Sequence, residues 1–252
     1  MDSAPRARLL DINRQFYETF GAAFAATRRR IQPGVRRVLA ALPPGGSWLD
    51  LGCGSGALAA EWARQGRTGC YWGVDFSAAL LNEAQAAVDG LAPPGLTLGF
   101  QPVNLGDPHW AAALPDRRWD GVLCFAALHH LPGAAERLTL LRQVRALLPP
   151  GGWFIHSEWQ FQHSPRLLAR VQPWELVGLT AADVEPGDTL LDWRASLPGQ
   201  PEQVGLRYVH CFSPAELADL AAQSGFTITE TFESDGQGGR LAIYQHWQAR
   251  EF

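Results

Sequence analysis

The chain has 252 residues, 46% of them apolar, and a formal net charge of −4. That composition is ordinary for a soluble globular protein of one large domain, and the negative balance argues against indiscriminate nucleic-acid binding. All 21 basic residues are arginine, which excludes a P-loop lysine, a Schiff-base lysine and a Ser-Lys dyad; the four cysteines form no C-x-x-C pair, and no apolar stretch nears the roughly 20 residues of a membrane span.

The N-terminus, Met1 to Leu10, lacks a signal-peptide core, and with scattered cysteines this predicts a reduced cytoplasmic setting. Residues 9–30 read as a helix, because Leu9, Ile12, Phe16, Tyr17, Phe20 and Phe24 recur at helical spacing. A second helix, Val35 to Leu42, ends at Pro43-Pro44-Gly45-Gly46. Residues 1–42 are thus expected to form a helical cap over a cleft. Residues 1–40 hold eight arginines against three acids, so this end is basic and suited to phosphates.

Ser47 to Leu51 reads as the first strand, followed by Gly52-Cys53-Gly54-Ser55-Gly56 and a helix from Ala57 to Gln65. Gly52, Gly54 and Ala57 loosely meet the dinucleotide pattern G-x-G-x-x-G/A. A plain strand-to-helix turn is the bland alternative. Asp50 with the three glycines makes D-x-G-x-G-x-G, which resembles motif I of the class I S-adenosylmethionine (SAM) methyltransferases. The resemblance implies SAM as cofactor and S-adenosylhomocysteine (SAH) as product. It gives Asp50 the methionine ammonium, and lays Gly52, Cys53, Gly54 and Gly56 against the carboxylate and ribose.

Strand two, Gly69 to Asp75, ends in an acid about 20 residues past the glycines, the spacing expected of a ribose-binding carboxylate. Phe76 follows, and Ser77 caps a helix from Ala78 to Val88. Strand three, Leu96 to Val103, runs into Asn104-Leu105, where the resemblance places adenine contacts; Asn104 before Gly106 is also a good turn residue. Strand four, Trp119 to Phe125, leads to His129-His130 and a helix from Ala134 to Leu148, which resembles motif IV. By that resemblance Cys124, Phe125 and His130 approach the cofactor and His129 the acceptor. No metal-ligand spacing accompanies the histidines.

Strand five is Trp153 to Glu158. Residues 159–206 look least regular, with a helix from Pro165 to Leu179 interrupted by Pro173, and read as an insertion or lid. Ser213-Pro214-Ala215-Glu216 starts a helix to Ser224. Strands Phe226 to Phe232 and Arg240 to Trp247 close the chain. The class I plan implied is α/β and Rossmann-like: a seven-stranded, mostly parallel sheet with an antiparallel C-terminal hairpin strand and helices on both faces, all in one domain, 1–252.

Asn13-Arg14-Gln15-Phe16-Tyr17, Thr27-Arg28, Asp188 to Trp193 and Arg207-Tyr208-Val209-His210 are similar to motifs of the tRNA wobble-uridine carboxymethyl methyltransferases. Asp192 and Val209 depart from the pattern. The resemblance implies methyl transfer to an oxygen, a carboxylate on a tRNA wobble uridine, with Arg28, Arg207, Tyr208 and His210 orienting it. It also implies a small activating protein partner. A small-molecule O- or N-methyltransferase and a non-catalytic SAM-binding module are the other readings. A neutral acceptor would need a base, for which His129, His130 and His210 are the candidates.

Overall fold

The structure is a computed structural model that describes residues 1–26, 30–195 and 202–251. Two helices come first, α1 (Ser3–Ala26) and α2 (Pro33–Ala41). Alternating strands and helices follow: β1 (Ser47–Leu51), α3 (Ala57–Arg64), β2 (Gly69–Asp75), α4 (Ala78–Val88), β3 (Leu96–Pro102), β4 (Gly121–Phe125), α5 (Ala134–Leu147) and β5 (Trp153–Trp159). After a single helical turn, α6 (Pro165–Leu168), come β6 (Val171–Gln172), β7 (Asp188–Ala195), β8 (Gln203–His210), α7 (Pro214–Ser224), β9 (Phe226–Ser234) and β10 (Ala242–Ala249).

The main sheet has seven strands in the order β3-β2-β1-β4-β5-β10-β9, with β10 antiparallel to both neighbours. The order reverses between β1 and β4, which pair in parallel. In such sheets ligands bind beyond the carboxyl ends of the strands at this reversal. Alternate residues supply two cores: Leu49, Val122 and Phe154 pack toward α5 and α7, while Trp48, Leu123 and Ile155 pack toward α2 and α3. Burial on both faces explains why the central strands read as nearly continuous apolar runs.

Residues 159–206 differ from expectation. The helix expected over Pro165 to Leu179 is one turn of α6, the short β6, and a 3-10 turn at Trp174–Val177. Pro173 has no N–H to donate to a helix. The stretch builds a second sheet, β6-β7-β8, antiparallel throughout. The last hairpin is also shifted: β9 runs on to Ser234, and Arg240 lies before β10. Helix α1 starts six residues earlier than its periodicity suggests and lies on β8, with Leu9 and Ile12 packed against Leu190 and Tyr208. Asn13 binds it there: Oδ1 accepts from the Tyr208 N–H at 2.8 Å, and Nδ2 donates to the carbonyls of Tyr208 at 3.1 Å and His130 at 3.2 Å.

Candidate active site

A cavity of about 1110 Å³ opens at the sheet reversal, bounded by the ends of β1, β2 and β4, by α1, and by Arg207 of β8. At one end, β1 and β2 deliver two buried carboxylates. The Tyr71 hydroxyl donates to Asp50 Oδ2. Burial lifts the Asp50 pKa to about 7, Asp75 adds to the rise, and the Tyr71 bond opposes it. Asp75 accepts from the Gly54 N–H at 3.0 Å and the Ser77 N–H at 2.9 Å. Burial raises its pKa too, against those backbone bonds. Among the described residues neither carboxylate has a cationic side chain within ion-pair distance. Buried acids so placed favour a cationic ligand.

The turn between β1 and α3 is held on β2 by Gly52 and Cys53, whose N–H groups donate to the Val74 carbonyl. Its other glycines do different work. A Cβ on Gly54 would meet nothing within 4 Å, so a ligand can approach its backbone. A Cβ on Gly56 would come within 2.8 Å of Ala84, so this glycine lets α3 pack on α4 and lies off the cavity wall. Phe76, Leu105, Phe125 and Asn104 line the cavity, but Asn104 Oδ1 is committed to the Gly106 N–H at 3.0 Å. Cys124 is fully buried in the core on the α5 side and does not reach the wall.

The other end is aromatic and basic. His129 and His130 sit on the 3-10 turn after β4, and both line the cavity. His129 stacks on Trp159, with ring centres 5.7 Å apart and 12° between planes. The Arg207 guanidinium lies 4.8 Å from the Trp159 ring centre and 5.2 Å from that of Phe16. Burial lowers the Arg207 pKa, and a hydrogen bond with the Tyr17 hydroxyl counters this. His130 Nδ1 lies 3.1 Å from the Tyr208 carbonyl, which only accepts, so Nδ1 carries the proton and Nε2 accepts from Tyr17 at 3.0 Å. His130 thus holds α1, the histidine turn and β8 together.

Tyr208 and His210, expected at the acceptor, lie elsewhere. The Tyr208 hydroxyl donates to Asp188 at 2.7 Å; His210 lies between Asp188 at 2.7 Å and Glu216 at 3.0 Å. Tyr208 thus bonds within the second sheet, and His210 joins that sheet to α7. Arg28 lies outside the described residues. Glu158 and Trp159 were not anticipated, and Asn13 was noted only as part of a motif, with no role assigned. Glu158 is an acid at the carboxyl end of a strand, one residue short of its last, as Asp50 is in β1, and that signal was available.

Comparison with known proteins agrees with the fold. The model of a family described as "Methyltransferase domain" matches residues 24–231. A probable methyltransferase, ltbC, of Aspergillus luteorubrus is 29% identical over 196 residues, 77% of this chain but 59% of that protein's length. A tRNA (carboxymethyluridine(34)-5-O)-methyltransferase of Schizosaccharomyces pombe is 24% identical over 231 residues, covering 86% of this chain and 89% of that one. The solved structure of a SAM-dependent methyltransferase from Methanosarcina mazei shares the fold, with a TM-score of 0.62, 22% identity, and coverage of 88% of this chain and 100% of that one.

Proposed function

The chain belongs to the methyltransferase domain family, and from that premise we propose that it carries a methyl group from SAM to an oxygen of an acceptor held between α1, Trp159 and β8. The observation that carries this reading is the pair of buried carboxylates, Asp50 and Asp75, beside the open backbone of Gly54. When bound, SAM supplies a methyl group on positively charged sulfur, already electrophilic. Asp50 would give its ammonium a counter-charge. Asp75, which lines the cavity and accepts one backbone N–H on each oxygen, would receive its ribose hydroxyls. Helix α1 and Trp159 shield the reacting atoms from water and hold the acceptor in line.

Calorimetry with SAH tests this directly. The wild-type protein binds, and Asp75→Ala lowers affinity by about 100-fold or more, the loss expected when two charge-assisted hydrogen bonds disappear. Failure of the wild type to bind, or undiminished affinity in the variant, refutes the reading.

A tRNA acceptor is the second reading. It is supported by Arg8, Arg14 and Arg30 on the cavity lining and by the end-to-end similarity to the fission-yeast tRNA enzyme. Arg8 and Arg14 already face Asp11, which weakens their claim on phosphates. On this reading tRNA binding falls steeply with salt and weakens in Arg30→Ala. Absence of binding at low salt leaves the small-molecule acceptor.

A further inference from the structure

One contact orients Asp50. Its Oδ2 accepts from the Tyr71 hydroxyl, while Oδ1 bonds to no described residue, although Asp50 lines the cavity. Strand register explains the pairing. β1 and β2 run in parallel, with Trp48 opposite Tyr71 and Asp50 opposite Gly73, so these four residues share one face of the sheet. Gly73 has no side chain, and the carboxyl reaches past it to Tyr71. The phenol has little room to move: its ring is fully buried, and its centre lies 5.5 Å from that of Trp62 on α3 and 6.4 Å from that of Phe100 on β3.

Four titratable groups face this carboxyl: Tyr71 and Asp75 from β2, Cys53 from the turn after β1, and Cys124 from β4. Burial raises the phenol and both thiols well above their ordinary values, so these three stay neutral. Asp75 opposes a second negative charge beside it, and burial opposes one as well. The Tyr71 bond is what favours the ionised form of Asp50. A phenolic O–H is bonded more strongly by a carboxylate than by a neutral carboxyl.

We propose that Tyr71 is a positioning residue for the cofactor: its hydroxyl holds the Asp50 carboxylate by Oδ2 and leaves Oδ1 for the ammonium group of SAM. The inference rests on the methyl-transfer reading above and deepens it. Tyr71 acts only through Asp50, from beneath the cavity floor, and is not itself among the residues lining the cavity. With the hydroxyl gone, the carboxyl loses both its fixed orientation and the bond that favours its charge.

The test uses Tyr71→Phe, which keeps the ring against Trp62 and Phe100 and removes only the hydroxyl. Carboxyl-carbon NMR of the full-length, ligand-free protein follows the titration, with the Asp50 signal identified by its loss in Asp50→Asn. The midpoint should rise by about one pH unit in Tyr71→Phe. SAH calorimetry gives a second readout. The variant should bind about threefold more weakly than the wild type at pH 7.5 and about tenfold more weakly at pH 6, because a higher pKa leaves proportionately less carboxylate at the lower pH. Added to Asp50→Asn, the same substitution should change affinity no further. An unchanged Asp50 midpoint overturns the proposal. So does a loss of affinity that is equal at both pH values or that persists on top of Asp50→Asn, since either marks a purely structural tyrosine. Absence of SAH binding in the wild type sinks the cofactor reading itself, whereas a wild type that binds, with a midpoint indifferent to Tyr71, sinks this inference alone.

Discussion

The carboxyl of Asp50 changes charge close to neutrality, since burial raises its pKa to about 7. Its protonated form has no charge to offer an ammonium group. A cation bound beside it favours ionisation, so binding of SAM releases a proton and strengthens as pH rises. Between pH 6 and 7.5, below the range where an α-amino group itself deprotonates, affinity should climb about five- to tenfold. Asp50→Asn should bind more weakly and with a flat profile; calorimetry across this range checks both. At this scale much of the site was legible. Asp50 and Asp75 close apolar runs, and each stands where a strand meets its turn. Glu158 also stands near a strand's carboxyl end, but its contact with His129 arises only through β4–β5 pairing. Tyr208 and His210 were misplaced by reading a motif as a cluster. Successive side chains on a strand face opposite ways. Arg207 therefore reaches the cavity, while Tyr208 and His210 meet Asp188 on the other side.

The turn after β1 separates two functions that the glycine pattern alone does not distinguish. Gly56 adopts φ +75° with α4 against it, so Gly56→Ala meets both backbone strain and a 2.8 Å approach to Ala84. It should cost about 2–4 kcal/mol of stability, read as a lower thermal midpoint. Gly54 adopts φ +54° with open space around it. Gly54→Ala should cost only about 1 kcal/mol, yet weaken SAH binding because its methyl group enters the ligand's space. Melting curves and calorimetry on the two variants should therefore rank them in opposite orders. Among elements, the parallel strands were readable because each is an apolar run bounded by turn residues. The second sheet was not. β6 has two residues, and β7 and β8 pair across a connection rich in proline and glycine, so their regularity lies in the pairing and not in local periodicity.

Across the whole molecule, the second sheet joins the body through His210. Burial pulls its pKa down, but the bonds to Asp188 and Glu216 outweigh that and hold it above the ordinary value. A group bound more tightly when protonated stabilises the fold below its unfolded pKa and loses that contribution as pH rises through the folded one. Stability to urea should therefore decline from pH 6.5 to pH 9. Asp50, also raised, acts with the same sign, so the comparison needs His210→Asn, in which the decline should shrink. An equal slope in both proteins would mean that the joint does not depend on the imidazolium. The contact between Asn13 and Tyr208 carries another consequence. A side-chain amide there fills the ladder position a neighbouring strand would take, joining residues 195 apart in the chain. Helix α1, which bounds the cavity and also packs on α4, is thus fastened by residues far along the chain, so the crevice is walled only where these two distant segments meet.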